Sequence, residues 1–190
     1  SWQDPNAIFV GLKAGSASVN HAHMDIGSFV MESDGVRWAI DPGMQSYESL
    51  ESKGLSIFGK GSKSQRWEVF RNTNYIHNTL TVNGKLQNVE GRAAITKFSG
   101  KEKFKYAITD LTQIYKNELQ RIRRGVAIAD KDYVIVRDEI ETSTNKAHVK
   151  WLMVTRAKVT GTGKNKVQLE QDGKTLTITA DDKDIVFKTW

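Results

Sequence analysis

The stretch SFVMESDGVRWAI, residues 28–40, decides the fold class. It contains two apolar runs, Ser28–Glu32 and Val36–Ile40, and the turn residues Ser33-Asp34-Gly35 lie between them. Both runs are short and rich in β-branched or aromatic residues, which favour strands. Two such runs joined by a turn that contains Asp-Gly are typical of an antiparallel β-hairpin.

The same pattern continues along the chain on both sides of this hairpin. Helical periodicity is weak and is limited to Ser46–Leu55, and strands do not alternate with helices, so a parallel sheet is not expected. We therefore predict an all-β fold, an antiparallel two-sheet β-sandwich of the supersandwich type with few or no helices. Further strands are predicted at Asn78–Val82, which precedes an Asn83-Gly84 hairpin turn, and at Arg121–Ile128, Tyr133–Asp138, His148–Val154, Thr175–Thr179 and Ile185–Thr189.

Composition limits the possible classes of protein. The 190 residues are 38% hydrophobic and 26% charged, with two prolines, which suits one folded domain over residues 1–190 and excludes a disordered chain. No apolar run reaches the roughly 18 residues of a membrane-spanning helix, so we expect no membrane span. Cysteine is absent, so any metal must bind to His, Asp or Glu. The net charge of +6 permits an anionic partner.

A small set of residues has the chemistry of a metal or acid–base site. His21 and His23 form a His-x-His pair, and on a strand two such side chains point to one face. Asp41 follows the apolar run that ends the first hairpin, and His77 precedes the predicted strand at 78–82. Two or three imidazoles and one carboxylate are sufficient ligands for Zn²⁺, which fits this set better than copper(I).

These residues also have a purely structural interpretation. His21 and His23 would then be a surface or core pair, and Asp41 would only start the turn that continues into Pro42 and Gly43. His77 would only make a hydrogen bond at the end of a strand. Residue types and spacing leave both interpretations open.

Two segments together carry a family resemblance. The stretch NHAHMDIGSFVMESDGVRWAIDPGMQSY at 20–47, followed by RNTNYIHNTLTVNG at 71–84, resembles the signature of heparinase II/III-type polysaccharide lyases. The resemblance implies a C-terminal antiparallel β-sandwich domain that works with an N-terminal α/α toroid, which is absent from this chain. It also implies cleavage of uronate-containing polysaccharide, such as heparin, heparan sulfate or alginate, by β-elimination.

The resemblance further implies roles for individual residues. His21 matches a catalytic histidine, and His23, Asp41 and His77 match the ligands of a structural Zn²⁺ ion. No substrate-binding residue can be named, and a catalytic Tyr with an Asn or His would come from the toroid, so this chain alone is expected to be incomplete for catalysis. The expected partners are an anionic polysaccharide and the toroid, without nucleic acid, in the periplasm or outside a bacterial cell.

The implied reaction suits the residues. Elimination removes a weakly acidic C5 proton beside a uronate carboxylate, so the carboxylate must be neutralised to stabilise the enolate-like intermediate. A proton must also reach the leaving glycosidic oxygen. A histidine can serve in either step, and the pair of carboxylates that glycoside hydrolysis requires is unnecessary.

Two other functions remain open at this level. Gly15, His21 and His23 have the spacing that opens a cupin signature, which would mean an iron or manganese site, but Gly27 and Ser28 stand where that signature needs a Glu. A non-catalytic carbohydrate-binding sandwich would have the same fold and basic charge without needing a histidine cluster.

Overall fold

The computed structural model describes residues 3–143, 146–182 and 184–189. Within this part of the chain, short strands dominate, and helix is limited to α1 (Tyr47–Glu51) and two 3-10 turns, Gln65–Glu68 and Phe70–Asn72. The strands are β1 (Phe9–Leu12), β2 (Phe29–Ser33), β3 (Val36–Ala39), β4 (Leu80–Val82), β5 (Ala94–Ser99), β6 (Phe104–Asp110), β7 (Arg121–Ala129), β8 (Tyr133–Glu141), β9 (Val149–Trp151), β10 (Lys158–Thr162), β11 (Lys166–Gln171) and β12 (Lys174–Thr179).

In the described part of the chain, the strands form four antiparallel sheets, with the orders β1-β2-β3, β4-β9, β5-β6-β7-β8 and β10-β11-β12. This arrangement confirms the predicted all-β, antiparallel sandwich class. No helix among the described residues has the length and apolar character needed to cross a membrane.

The two predicted hairpin turns behave differently. Asp34 and Gly35 have φ angles of 55° and 74°, and the turn joins β2 directly to β3, as predicted. Asn83 and Gly84 also have positive φ angles, but β4 pairs with β9, from Leu80↔Trp151 to Val82↔Val149. The hairpin prediction at Asn83-Gly84 is wrong, because a distant strand occupies the edge that a returning strand would use.

The prediction of a strand at Ile185–Thr189 is also wrong. Those residues have no strand hydrogen bonds in the structure. The apolar side chain of Phe187 nevertheless packs against the main core, so an irregular segment buries the residue that suggested a strand.

The main core lies between sheets that are distant in sequence. Phe29 and Trp38 of the first hairpin pack in one cluster with Val126 of β7 and with Val167 and Leu169 of β11. A second cluster surrounds Ile26, Leu80 and Leu111. Burial of a side chain of this size stabilises the fold by about 1.5–3 kcal/mol, so these contacts hold the sheets together.

A buried ion pair connects this core to the loops above it. Arg124 of β7 is fully buried and binds both carboxylate oxygens of Asp138, at 2.7 and 2.8 Å. Its Nη1 atom also donates to the carbonyl oxygens of Gly27 and Asn78, at 2.8 and 3.0 Å. A buried charge of this kind is tolerated because it is paired and its donors are satisfied. The pair therefore anchors two loop segments to the sheet.

Candidate metal and acid–base site

The His-x-His segment lies in the irregular connection between β1 and β2 and not on a strand, so strand alternation does not set the directions of its side chains. His21 has a φ of 58°, and Gly27 has a φ of 84°. A Cβ atom on Gly27 would lie 2.8 Å from the Leu111 side chain, so the close approach of this loop to the core requires glycine. Because the backbone is not extended, the two imidazoles take different directions: His23 lies beside His77, and His21 contacts Tyr47.

His77 and Asp41 form the centre of the site. Asp41 follows β3 and His77 precedes β4, and the distance from His77 Nδ1 to Asp41 Oδ2 is 2.8 Å. The side chain of His77 is fully buried, and that of Asp41 is 32% exposed. Burial alone would raise the pKa of Asp41, but hydrogen bonds from His77 and from the Gly43 amide outweigh it and hold that pKa below its ordinary value. Asp41 therefore favours the charged form.

The two ring nitrogens of His77 both face hydrogen-bond acceptors. Nε2 lies 3.0 Å from the carbonyl oxygen of Arg71, and Nδ1 faces the Asp41 carboxylate. The tautomer of the neutral ring decides which of these two contacts is a hydrogen bond. A carbonyl that holds one imidazole nitrogen is also the usual outer partner of a metal-bound histidine.

His23 stands next to this pair. Its ring centroid is 5.3 Å from that of His77, with 38° between the ring planes. Burial, and then the nearby His77 ring, lower the pKa of His23, so its neutral, ligand-competent form is favoured. The structure thus places His23 beside the Asp41–His77 pair, but among the described residues the group of ligand atoms within 4.8 Å of one another does not include His23.

Asp25 is a further member of this corner, and the sequence analysis gave it no role. Ligand atoms of Asp25, Asp41 and His77 all lie within 4.8 Å of one another. Asp25 Oδ2 is 2.6 Å from Lys13 Nζ, whereas Oδ1 is buried and has no hydrogen-bond partner among the described residues. The sequence signal was the alternation His-x-His-x-Asp, which extends the histidine pair by one carboxylate.

This donor set fits Zn²⁺. Imidazole nitrogens and carboxylate oxygens are both zinc ligands, and those of Asp25, Asp41 and His77 lie within 4.8 Å of one another, with the His23 ring beside them. The buried Asp25 Oδ1 without a partner among the described residues is a position where a cation would supply the missing interaction.

His21 lies outside this corner, at the rim of a cleft. Its Nδ1 atom is 2.6 Å from the Tyr47 hydroxyl, and the two rings are stacked with centroids 5.9 Å apart. Phe58, which is 61% exposed, contacts Tyr47 edge-on at 5.6 Å. The cleft has a volume of about 210 Å³, and both His21 and His23 line it. The arrangement leaves an exposed imidazole oriented by a phenol, beside an apolar rim.

The nearby arginines and tryptophan have structural contacts. Arg66 is buried and donates to the carbonyl oxygens of Val19 and Ala22, so it holds the His21 loop. Trp67 is buried and donates from Nε1 to the carbonyl oxygen of Gly61, so its contacts are structural. A larger groove of about 530 Å³, bordered by Arg92, Arg121 and Glu141 among others, contains none of the four candidate residues.

Comparison with solved structures shows the same fold in heparinases. A heparinase III, the BT4657 gene product with methylated lysines, is 22% identical with a TM-score of 0.68, over 93% of this chain and 25% of that chain. The heparan sulfate lyase HepC from Pedobacter heparinus is 22% identical with a TM-score of 0.67, over 94% of this chain and 26% of that chain. Another heparinase III structure is 14% identical with a TM-score of 0.61, over 90% of this chain and 25% of that chain.

This chain therefore spans about a quarter of the length of those structures. A search of curated proteins finds no significant match. The model of the family described as "Heparinase II/III-like, C-terminal" matches residues 2–189, and the chain thus belongs to the heparinase II/III-like C-terminal family.

Proposed function

We propose that this chain is the C-terminal domain of a polysaccharide lyase that cleaves uronate-containing polysaccharide by β-elimination. The substrate class is heparin or heparan sulfate-like polysaccharide, or alginate. The family match and the structural similarity to the heparan sulfate lyase HepC support the general activity. The observation that carries the proposal is the exposed His21, oriented by Tyr47 at the rim of a cleft whose inner wall includes His23.

The proposed role of His21 follows from its hydrogen bond. When the Tyr47 hydroxyl donates to Nδ1, the imidazole proton resides on Nε2. Nε2–H can then donate to the uronate carboxylate and stabilise the negative charge that develops as the C5 proton leaves. A base from the complete protein accepts that proton, the C4–O bond breaks, and the departing oxygen takes a proton as the C4=C5 double bond forms. In this scheme Tyr47 is a positioning residue.

The proposed metal has a structural role. We assign His23, Asp41 and His77 as the residues that hold Zn²⁺, with Asp25 as a further carboxylate beside them. When bound, the ion supplies positive charge that offsets the two carboxylates at this corner. The chain's own residues then keep the His23 side of the cleft rigid, while His21 remains free to meet substrate.

The rest of the proposal concerns the complete protein. An N-terminal α/α toroid would supply the missing catalytic groups and the other wall of the cleft, and the protein would act in the periplasm or outside a bacterial cell. The net charge of +6 suits an anionic polysaccharide partner. The match of the family model over nearly the whole chain argues against the cupin alternative.

One experiment tests this function directly. The complete protein is incubated with heparan sulfate, hyaluronan and alginate in parallel, and unsaturated uronate product is followed by its ultraviolet absorbance. We expect product from at least one of these polymers. Binding without product from any of them would instead support a non-catalytic carbohydrate-binding sandwich.

A further inference from the structure

We infer that Asn78 is a positioning residue that sets the distance between Asp41 and His77. The inference rests on the proposed metal site, because it concerns the geometry of two proposed ligands. Asn78 is 0% exposed and follows His77 directly in the chain. Nothing in the sequence analysis gave it a function.

The carboxamide of Asn78 is fully used in hydrogen bonds to other segments. Nδ2 donates to the carbonyl oxygen of Phe29 at 2.7 Å and to that of Ile40 at 2.8 Å. Oδ1 accepts from the backbone amide of Val154 at 2.5 Å. One side chain therefore joins the start of β2, the residue before Asp41 and the segment after β9.

The contacts with Ile40 and Val154 show how Asn78 connects these two backbone segments. Ile40 donates its amide to the Val154 carbonyl at 2.9 Å, as in an antiparallel pair. The return bond, from the Val154 amide to the Ile40 carbonyl, is replaced by the Asn78 carboxamide, which accepts from one and donates to the other. The Asn78 carboxamide thus takes the place of a backbone peptide group between Ile40 and Val154.

The consequence for the site follows from chain neighbours. Asp41 is bonded to Ile40, and His77 is bonded to Asn78, so the Asn78–Ile40 hydrogen bond closes a short ring that contains both proposed ligands. Arg124 secures the same residue from below through the Asn78 carbonyl, and it holds the Gly27 carbonyl, close to Asp25, in the same way. The buried sheet can therefore fix the ligand spacing through one amide side chain.

Hydrogen-bonded partners of this kind influence metal affinity. Changing a residue that holds a metal ligand in place usually lowers affinity by about 10–100-fold. We expect Asn78→Ala in the complete protein to lower the affinity for Zn²⁺ by a factor in this range. Co²⁺ used as a spectroscopic probe should show a changed visible spectrum, because its absorption depends on ligand geometry.

Asn74 provides a matched control. It is also 0% exposed, and its Nδ2 atom donates to the carbonyl oxygens of Leu80 and Lys85 at 3.2 Å. Its Oδ1 accepts from the Gln87 amide at 3.1 Å. Asn74→Ala therefore removes the same groups from an equally buried position, but these bonds do not reach the Ile40–Asp41 segment.

The test compares the wild type, Asn78→Ala and Asn74→Ala by Zn²⁺ titration against a chelator, by the Co²⁺ spectrum and by Tm. We expect both variants to lose Tm, and only Asn78→Ala to lose affinity and change the spectrum. Equal affinity in Asn78→Ala and wild type, or equal losses in the two variants, would overturn the inference while leaving the proposed metal site intact.

Two further outcomes are also decisive. A wild-type protein that binds neither ion would refute the proposed metal site and this inference with it, whereas lyase activity, measured separately, would still report on the proposed function. If Asn78→Ala does not fold, Asn78→Ser, which keeps a smaller hydroxyl donor, is titrated in its place against Asn74→Ser, with the same expectations.

Discussion

The two histidines nearest to each other in sequence lie in contrasting parts of the site. His23 stands beside the fully buried His77, which hydrogen bonds and the adjacent Asn78 hold in place. His21 is exposed, has a left-handed backbone conformation, and has one polar side-chain partner, Tyr47, among the described residues. We call these parts the buried corner (His23, Asp25, Asp41 and His77) and the cleft rim (His21, Tyr47 and Phe58).

The contrast teaches that one short motif can supply two kinds of chemistry. The buried corner holds donor atoms close together around the fully buried His77, which favours an ion held for structure. The cleft rim leaves an imidazole accessible to a bulky polymer, which favours contact with substrate. Substitutions in the corner should therefore act on metal content and stability, whereas substitutions at the rim should act on turnover.

The largest expected effect is at the rim. His21→Ala in the complete protein should lower kcat by about 10²–10³-fold, the usual cost of removing one donor that stabilises developing negative charge. Stability should change by no more than about 0.5 kcal/mol, since the side chain is exposed. Product absorbance and thermal unfolding measure the two quantities.

His148→Ala is the control for that change, because His148 is also exposed but lies beside β9, outside the proposed site. It should leave kcat unchanged. If His21→Ala has normal turnover, His21 has no catalytic role, and the proposed difference in function between the buried corner and the cleft rim is wrong.

The next effect is in the corner. His77→Ala removes a proposed ligand and leaves the Arg71 carbonyl and the Asp41 carboxylate without their partner. Zn²⁺ affinity should fall by more than the about 10–100-fold typical of outer-shell changes. Stability should fall by about 1–3 kcal/mol, because a partner of buried polar groups is lost. Metal analysis and thermal unfolding report these losses.

Chelation separates the stability that the metal contributes from the stability that the His77 side chain contributes through its hydrogen bonds. EDTA should lower the Tm of the wild-type protein and leave the Tm of His77→Ala unchanged, because only a bound ion can be removed. A His77→Ala variant with wild-type zinc content would show that the corner is held by hydrogen bonds alone.

Asp25→Asn should have a smaller effect in the same corner. The amide preserves the shape of the side chain but removes one negative charge next to the proposed ligands, so Zn²⁺ affinity should fall by about tenfold, the lower end for a supporting residue. Titration against a chelator measures the loss. Lys13→Gln removes the partner of Asp25 instead and should raise affinity or leave it unchanged, since it takes away a positive charge 2.6 Å from the carboxylate. If Zn²⁺ affinity falls in both Asp25→Asn and Lys13→Gln, the Lys13–Asp25 ion pair has only a structural role.

The smallest expected effect is Tyr47→Phe at the rim. It removes the hydroxyl that contacts His21, and one hydrogen bond contributes about 0.5–1.5 kcal/mol, so kcat should fall by about 2–10-fold. The loss should appear in kcat and not in KM, because the phenol orients the imidazole for the transition state. Tyr75→Phe, which removes a hydroxyl bonded to the Gly84 carbonyl oxygen outside the cleft, should change neither. Identical kcat values in all three proteins would exclude the positioning role.

Local sequence signals predicted the fold where neighbours in sequence are also neighbours in space. The turn at Asp34-Gly35 needed only positive φ angles and two flanking apolar runs. The equally good signal at Asn83-Gly84 failed because β9, from more than 60 residues further along the chain, pairs with β4. Strand partners at that distance depend on the packing of the whole core, which no local pattern contains.

The sequence by itself determined the all-β class, through β-branched runs and turn residues, and it limited the candidate ligands to a few histidines and carboxylates in a chain without cysteine. The tertiary structure decided that His21 and His23 diverge, that Asp25 joins the corner, and that Asn78 and Arg124 hold it. The physical reason is that spacing along a chain fixes the direction of side chains only within regular strands or helices. In the irregular loops of this site, long-range hydrogen bonds and burial fix the directions instead.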